Sequence, residues 1–190
     1  MKPRACAVLL MLALSAASGV ACAQDDRIAS ARAASKTLAE ALQAQLGAAI
    51  KAGGFASAVT AYNVIAPAVT QEAVEKSGIV VRRTALKVRN PTNAPDAFER
   101  KILERFRDAI TGGADPATLE HAETVTENGR TAFRYMKAIP TAATPCLGCH
   151  GSNIQPEVKQ EIIRLYPADA ATGFSEGELR GAFSVVEALP

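Results

Sequence analysis

The sequence is short of histidine, of cysteine and of any excess of charge. Its 190 residues include two histidines and four cysteines, and 21 basic residues stand against 19 acidic ones. A balance this close to neutral gives no basic surface of the kind that nucleic-acid binding requires. Beyond the first 23 residues we find no internal repeat and no apolar run approaching the roughly 20 residues of a membrane span. We therefore expect a chain of one domain that is soluble unless a lipid is attached.

The first 23 residues are typical of a secretory signal peptide. Lys2 and Arg4 form the charged start, a long uncharged apolar run follows, and the Ala-Cys-Ala of positions 21–23 supplies the small residues of a cleavage site. We predict that residues 1–23 are removed on export to the periplasm. The mature chain, residues 24–190, is then a single domain with equal numbers of basic and acidic residues.

The cysteines divide between these two parts of the chain. Cys6 and Cys22 lie in the signal peptide, so Cys146 and Cys149 are the thiols that remain after cleavage. Cys22 also allows a lipid-anchored lipoprotein, but Gly19 stands where such sites prefer a leucine-like residue, and plain cleavage is favoured. Neither remaining thiol has another partner in an oxidising compartment.

The stretch Cys146-Leu147-Gly148-Cys149-His150 has the pattern of a covalent haem attachment site. Two cysteines separated by two residues can add their thiols to the two vinyl groups of a haem, and the next histidine then binds the iron as its proximal ligand. The glycine of the spacer allows the backbone to lie close against the porphyrin edge. We predict one covalent haem c, held by Cys146 and Cys149 with His150 as proximal iron ligand, and export is a requirement of this attachment.

Other chemistries also use a pair of cysteines at this spacing. A thioredoxin-like redox pair needs a βαβ context, which the sequence does not indicate. A structural zinc site needs four ligands, and outside the pentapeptide the mature chain offers only His121 as a further cysteine or histidine. A structural disulfide between Cys146 and Cys149 is the main alternative to haem attachment.

The periodicity predicts long helices first and antiparallel strands after them. Apolar residues recur at every fourth position between Asp25 and Ala52, Gly53-Gly54 ends this helix, and a second helix begins near Phe55. Asn128-Gly129 is a hairpin signal, and Asp96 can cap a following helix. Strands are predicted over residues 79–90, 124–126, 131–139 and 181–186, and shorter helices over residues 97–110 and 156–165. The fold class is therefore α+β.

The strand predicted over residues 79–90 carries four basic side chains, those of Arg82, Arg83, Lys87 and Arg89. Such a run usually forms a solvated strand face. A covalent haem, however, brings two carboxylates that need cationic partners. We therefore predict that Arg82, Arg83 or Lys87 contacts a haem propionate. Asn90, at the end of the run, is a further candidate for a cofactor contact.

Several stretches carry a resemblance to a known family. They are Arg-Thr-Ala-Leu-Lys-Val-Arg-Asn-Pro at positions 83–91 continuing to position 96, Cys-Leu-Gly-Cys-His-Gly at 146–151, and Tyr-Pro-Ala-Asp at 166–169 with Gly-Ala-Phe-Ser-Val at 181–185. In their order and spacing they resemble the single-haem, PAS-like c-type cytochromes, which occur as exported haem proteins and as haem sensor modules of bacterial signalling receptors. The resemblance implies a PAS-like antiparallel sheet with a long N-terminal helical arm, and a haem between sheet and helices.

The resemblance also indicates which residue could be the second axial ligand of the iron. In some similar proteins a cysteine of the second helix, just before an Ala-Pro pair, is the other axial ligand. Here that position falls on Tyr62, ahead of Ala66-Pro67, so thiolate ligation is excluded there. Tyr62 is a candidate distal ligand as a phenolate, which favours ferric iron, or else packs on the ring with its hydroxyl hydrogen-bonded. Weaker candidates are Asn63, His121 and Met136, and a water-bound or vacant position is a further alternative.

Two functional classes follow for a haem protein of this kind. An electron carrier has a saturated iron and a redox protein as its partner. A redox or gas sensor, or a binding module, has a labile distal ligand and binds a small diatomic molecule. Because no transmembrane helix or output domain follows Pro190, we expect the carrier. No convincing distal pair of histidine and arginine is present, so we expect no enzyme and at most a weak peroxidase-like activity.

Overall fold

The computed structural model describes residues 15–127 and 129–190. In chain order its elements are α1 (Ser15–Ser77), β1 (Val80–Thr84), a 3-10 helix (Pro91–Asn93), α2 (Ala97–Thr111), β2 (Glu120–Glu127), β3 (Arg130–Pro140), α3 (Leu147–His150), α4 (Pro156–Leu165) and β4 (Leu179–Leu189). The α+β class is confirmed. Most of the proposed signal peptide, residues 1–14, lies outside the described residues.

Helix α1 consists of two arms joined at a break. Gly53 and Gly54 have non-helical backbone angles, and Gly54 has a φ of +73°, in the region that favours glycine. The first arm therefore ends at residue 52, as the glycine pair predicted. The second arm, residues 55–77, continues past Pro67.

Four strands form one antiparallel sheet in the order β1-β4-β3-β2. Strands β2 and β3 are a hairpin in which Glu127 pairs with Arg130. This confirms the predicted hairpin strands, and Gly129 in the turn has a φ of +73°. Asn128, the first residue of the hairpin signal, lies outside the described residues.

Strand β1 is shorter than predicted. It ends at Thr84, which pairs with Ala182 of β4, although the sequence predicted a strand as far as residue 90. Beyond this point the chain leaves the sheet edge, and the carbonyl of Val88 accepts a hydrogen bond of 2.9 Å from the amide of Ala170, in a loop. The strand prediction was wrong here because an apolar and basic alternation can also belong to a loop with long-range partners.

Both faces of the sheet are covered, so alternate strand residues enter two different cores. The core beneath α1 includes Leu38, Leu42, Phe133, Tyr135 and Val185. The core beneath α2 includes Ile102, Leu103, Phe106, Met136 and Ala182. Met136 is fully buried in this second core and does not line the cavity described below.

A network of charged side chains joins α2 to the sheet. Asp96 caps α2 as predicted: its carboxylate accepts from the amide of Glu99 at 2.7 Å, and the Glu99 carboxylate accepts from the amide of Asp96 at 2.9 Å. Glu99 is buried and pairs with Arg82 at 3.4 Å, while Arg134 donates to Asp96 at 2.6 Å. These contacts hold Arg82 on the α2 side of β1.

Among the described residues, one helix, Gln24–Ser77, is long and apolar enough to cross a membrane by length and composition, with a mean hydropathy of 1.2 and 17% of its apolar window buried. Core helices of soluble proteins can have the same length and composition. Here the helix contributes Leu38 and Leu42 to the core, and Arg27 forms an ion pair with Glu187 of the sheet. The helix therefore packs as part of the domain.

Candidate functional site

A cavity of about 550 Å³ is lined by the two arms of α1, the β1–β4 edge of the sheet, and the segment that carries Cys146, Cys149 and His150. Apolar side chains of its wall include Leu42, Phe55, Val59, Ala66 and Phe183. The volume lies within the roughly 300–1,000 Å³ of typical small-molecule and cofactor sites. An apolar cavity with a few polar groups is the usual form of such a site.

Cys146 and Cys149 belong to a single helical turn. The amide of Cys149 donates to the carbonyl of Cys146 at 3.2 Å, and that of His150 donates to the same carbonyl at 2.9 Å. Residues three apart share a helix face, and both thiols line the cavity. They are free and half-buried. Burial raises the pKa of the Cys149 thiol, which Arg89 partly opposes, so this group is a neutral thiol at neutral pH.

Gly148, between the two cysteines, allows a close contact with the second arm of α1. A Cβ atom at this position would lie 2.6 Å from Cε1 of Phe55, which is too close for any side chain. The sequence predicted that this glycine permits approach to a porphyrin edge. The close neighbour that the structure shows is instead the Phe55 ring, which follows the Gly53-Gly54 break. The break in α1 and the cysteine turn are therefore packed against each other.

His150 is half-buried and oriented by the loop that precedes β4. Its Nδ1 lies 2.6 Å from the carbonyl oxygen of Ala171, and its ring meets that of Phe174 edge-on at 6.3 Å between centroids. Because a carbonyl can only accept, Nδ1 carries the proton and Nε2 is the unprotonated nitrogen that can bind a metal. Burial and the charges of Arg180 and Arg89 hold the pKa of His150 well below its ordinary value, so the ring is neutral.

Arg89 ties this loop to the cysteine turn. Its Nη2 donates to the carbonyl of Cys149 at 2.6 Å and to Asp169 at 3.2 Å, and lies 3.4 Å from the carbonyl of Ala171. One guanidinium thus contacts the turn that bears the thiols and the residue that orients His150. Arg89 belongs to the basic cluster of the sequence but was not predicted as a site residue.

Two further guanidinium groups line the cavity. Nη1 of Arg83 lies 3.5 Å from the hydroxyl oxygen of Tyr62, and its guanidinium is 5.6 Å from the centroid of that ring. Arg180 donates to the carbonyl of Lys87 at 3.4 Å and lies 5.4 Å from the centroid of the Phe174 ring. Within the described part of the chain, neither forms a salt bridge with a carboxylate. Arg180 carried no prediction from the sequence.

The structure brings only part of the predicted basic cluster to the cavity: Arg83 and Arg89 line it, and Arg82 and Lys87 do not. Successive side chains of a strand point to opposite faces, so Arg82 lies on the other side, where it donates to the carbonyl of Ala94 at 2.7 Å. Lys87 follows the end of β1, and its Nζ lies 3.4 Å from the carbonyl of Thr172. Arg82 and Lys87 are therefore not among the residues that line the cavity, and the cofactor contacts expected from them stay predictions.

Asn90 lines the cavity, but its side-chain oxygen is engaged locally. This oxygen accepts from the amide of Thr92 at 3.0 Å and from the hydroxyl of Thr92 at 2.9 Å. Asn90 therefore fixes the turn that begins with Pro91, and it positions the end of the segment that carries Arg89.

Tyr62 lines the cavity from the second arm of α1, beside Asn63. Burial raises the pKa of its hydroxyl, and the charge of Arg83 opposes the rise. Tyr166 also lines the cavity, and burial raises its pKa as well; the sequence did not select it. His121 lies elsewhere, in β2, where its Nε2 is 3.0 Å from Glu123.

This set of residues fits a haem. Two thiols and one imidazole on a single turn line an apolar cavity. Arg83 and Arg180, which have no carboxylate partner among the described residues, could pair with the carboxylates of a porphyrin. Together these features identify a haem-binding α+β domain with a four-stranded antiparallel sheet and a long N-terminal helix.

The chain belongs to the Tll0287-like family, whose model matches residues 16–187. It is also similar to a solved structure described as the crystal structure of the cyanobacterial heme-protein Tll0287. The two are 30% identical, with a TM-score of 0.53, and the match covers 66% of this chain and 71% of that one. A search of curated proteins found no match.

Proposed function

We propose that this chain is an exported, single-haem c-type cytochrome of PAS-like fold, with the haem bound covalently. The observation that carries the proposal is that the thiols of Cys146 and Cys149 and the imidazole of His150 line one cavity from one helical turn. The antiparallel sheet, the long N-terminal helix and the similarity to a haem protein support it. When bound, the haem would supply a one-electron couple at its iron.

The chain's own residues would hold and tune this group in defined ways. Cys146 and Cys149 would form the two thioether bonds, and Nε2 of His150 would bind the iron. The carbonyl of Ala171, which accepts from Nδ1, orients the ring and increases its strength as a ligand. The apolar wall limits the access of water, which favours a well-defined redox potential.

We propose electron transfer with a redox protein as the biological role, without enzymatic turnover. Tyr62 supports this role because its oxygen lies on the cavity, and Arg83, at 3.5 Å from that oxygen, would stabilise a phenolate. An anionic oxygen ligand would saturate the iron and favour the ferric state.

The second candidate role is redox sensing or the binding of a diatomic gas at a labile distal position. One observation favours it: burial raises the pKa of Tyr62, and a neutral phenol is a weak ligand. In that case Tyr62 and Arg83 would form the wall of an open site, where both could donate hydrogen bonds to a bound diatomic ligand.

Absorption spectra of the ferric and ferrous protein, recorded with and without CO, separate the two roles. The carrier predicts a six-coordinate ferrous haem that is inert to CO, and rapid CO binding would instead support the sensor. Tyr166→Phe is a matched control for Tyr62→Phe, because both remove a hydroxyl from the same cavity. For the carrier, only the Tyr62 change should alter reactivity with CO.

We also propose that residues 1–23 direct export to the periplasm and are then removed. The proposal rests on the composition of this segment. Amino-terminal sequencing of the protein from a periplasmic extract should begin at Gln24. A lipid-modified Cys22 at the amino terminus would support the lipoprotein alternative instead.

A further inference from the structure

We propose that Arg180, together with Arg83, forms a carboxylate-binding site on the cavity wall that holds the propionate groups of the cofactor. This inference rests on the proposed function, and it replaces Arg82 and Lys87 by Arg180 as the partner of Arg83. It assigns a role to a residue that lies far from Arg83 in the sequence, 97 positions later, near the start of β4.

The first support is the count of charges around the cavity. Among the described residues, three guanidinium groups line it, those of Arg83, Arg89 and Arg180. Asp169 is engaged by Arg89, at 3.2 Å. Three cations and this one carboxylate leave two positive charges, and the two propionates of a haem would neutralise them.

The second support is the shortage of acceptors around Arg180. A guanidinium has five N–H donors, and in the described residues this one donates a single hydrogen bond, of 3.4 Å, to the carbonyl of Lys87. A charge removed from water without partners is costly. Burial, with repulsion from Arg89 and Arg83, lowers the pKa of Arg180 to about 10. An anion on the cavity side would supply acceptors and offset the repulsion.

The backbone explains how Arg180 reaches this position. Gly181 pairs with Ile139 of β3 and also passes close to β1, because a Cβ atom there would collide with the carbonyl oxygen of Thr84. Any larger residue would push β4 away from the end of β1. The glycine thus brings Arg180 to the side of the cavity that Arg83 lines from β1.

The site predicts opposite effects of one substitution on the empty and the loaded protein. In apo-protein made without haem attachment, Arg180→Gln removes a half-buried, repelled charge, so the midpoint of thermal unfolding should rise by about 2 to 4 °C. In the haem-loaded protein the same change removes a partner of a carboxylate, so the midpoint should fall by about as much. Arg105→Gln, which removes an exposed arginine on α2, is the control and should shift neither form.

A second measurement uses the haem-loaded protein alone. It tests the arginine site even if apo-protein shows no cooperative unfolding. Arg180 stabilises ionised propionates, so Arg180→Gln should raise their pKa and move the acidic limb of the pH dependence of the redox potential to higher pH. Arg180→Lys, which keeps the charge, should restore most of the wild-type profile.

The two proposals fail in different ways. Protein from maturation-competent cells that carries no covalent haem contradicts the proposed function; a rise of apo stability in Arg180→Gln would still support the anion site. Loaded protein in which Arg180→Gln and Arg105→Gln give the same thermal midpoint and the same pH profile overturns the arginine site alone. Equal shifts of one sign in the apo and loaded forms also overturn it.

Discussion

Nδ1 of His150 lies 2.6 Å from the carbonyl oxygen of Ala171, 21 residues further along the chain. This bond fixes the tautomer of the imidazole and leaves Nε2 for a metal. The carbonyl of Ala171 is itself within 3.4 Å of Arg89. His150 is therefore oriented by a loop, and the loop is held by an arginine that contacts the cysteine turn.

Replacing Arg89 should loosen both the cysteine turn and the loop that orients His150, because Arg89 contacts both. Arg89→Gln leaves Asp169 buried without its cation, and loss of one partner of a buried pair costs about 3 to 5 kcal/mol. We expect a lower free energy of unfolding in urea and a smaller fraction of chains with covalent haem. Arg164→Gln, which removes an exposed ion pair with Glu161, should change neither quantity measurably. Equal behaviour of the two variants would contradict the role of Arg89.

Gly148→Ala tests the contact between the cysteine turn and the break in α1. The added Cβ would lie 2.6 Å from the Phe55 ring, and overpacking of this kind costs about 1 to 3 kcal/mol. Chemical denaturation should show this loss, and Phe55→Leu should relieve part of it in the double variant. Gly47→Ala, at a helical glycine with open space around it, should instead stabilise the protein by about 0.5 to 1 kcal/mol. Additive losses in the double variant would show that the two residues do not interact.

Glu120 should make stability depend on pH in the acidic range. Hydrogen bonds from Arg32 and from the buried Tyr135, the latter at 2.8 Å, lower the pKa of Glu120 below 4.5. Because the folded-state pKa is depressed, the stabilisation is present above about pH 4.5 and is lost as the pH falls through the lower folded-state value. Urea titrations between pH 7 and pH 3 should show a steeper decline in wild type than in Glu120→Gln. Parallel declines would contradict the assignment.

Tyr62→Phe tests the distal ligand. If the Tyr62 oxygen binds ferric iron, the substitution should abolish a phenolate charge-transfer band and raise the midpoint potential, because the oxidised state loses its anionic donor. Stability should change little, since the ring still packs. An unchanged spectrum and potential would make Tyr62 a wall of the cavity and favour the open site.

The sequence correctly predicted structural features that depend on residues close together in the chain. The cysteine and histidine motif, the break at Gly53-Gly54, the cap at Asp96 and the hairpin strands all depend on a few adjacent positions. Arg89 and Arg180 were missed as site residues because their roles arise from contacts far apart in the chain: Arg89 with Asp169, 80 positions away, and Arg180 with Lys87, 93 positions away. The sequence prediction also treated Arg82 and Arg83 as equivalent candidates, although successive residues of β1 point to opposite faces of the sheet.

Covalent attachment of the haem is tested most directly by the intact mass of protein purified from cells competent in cytochrome c maturation. Thioether bonds at Cys146 and Cys149 predict the polypeptide of residues 24–190 plus one haem, retained after denaturation and acid acetone extraction, and no such addition in the Cys146→Ala/Cys149→Ala variant. A wild-type mass equal to the bare polypeptide would contradict it.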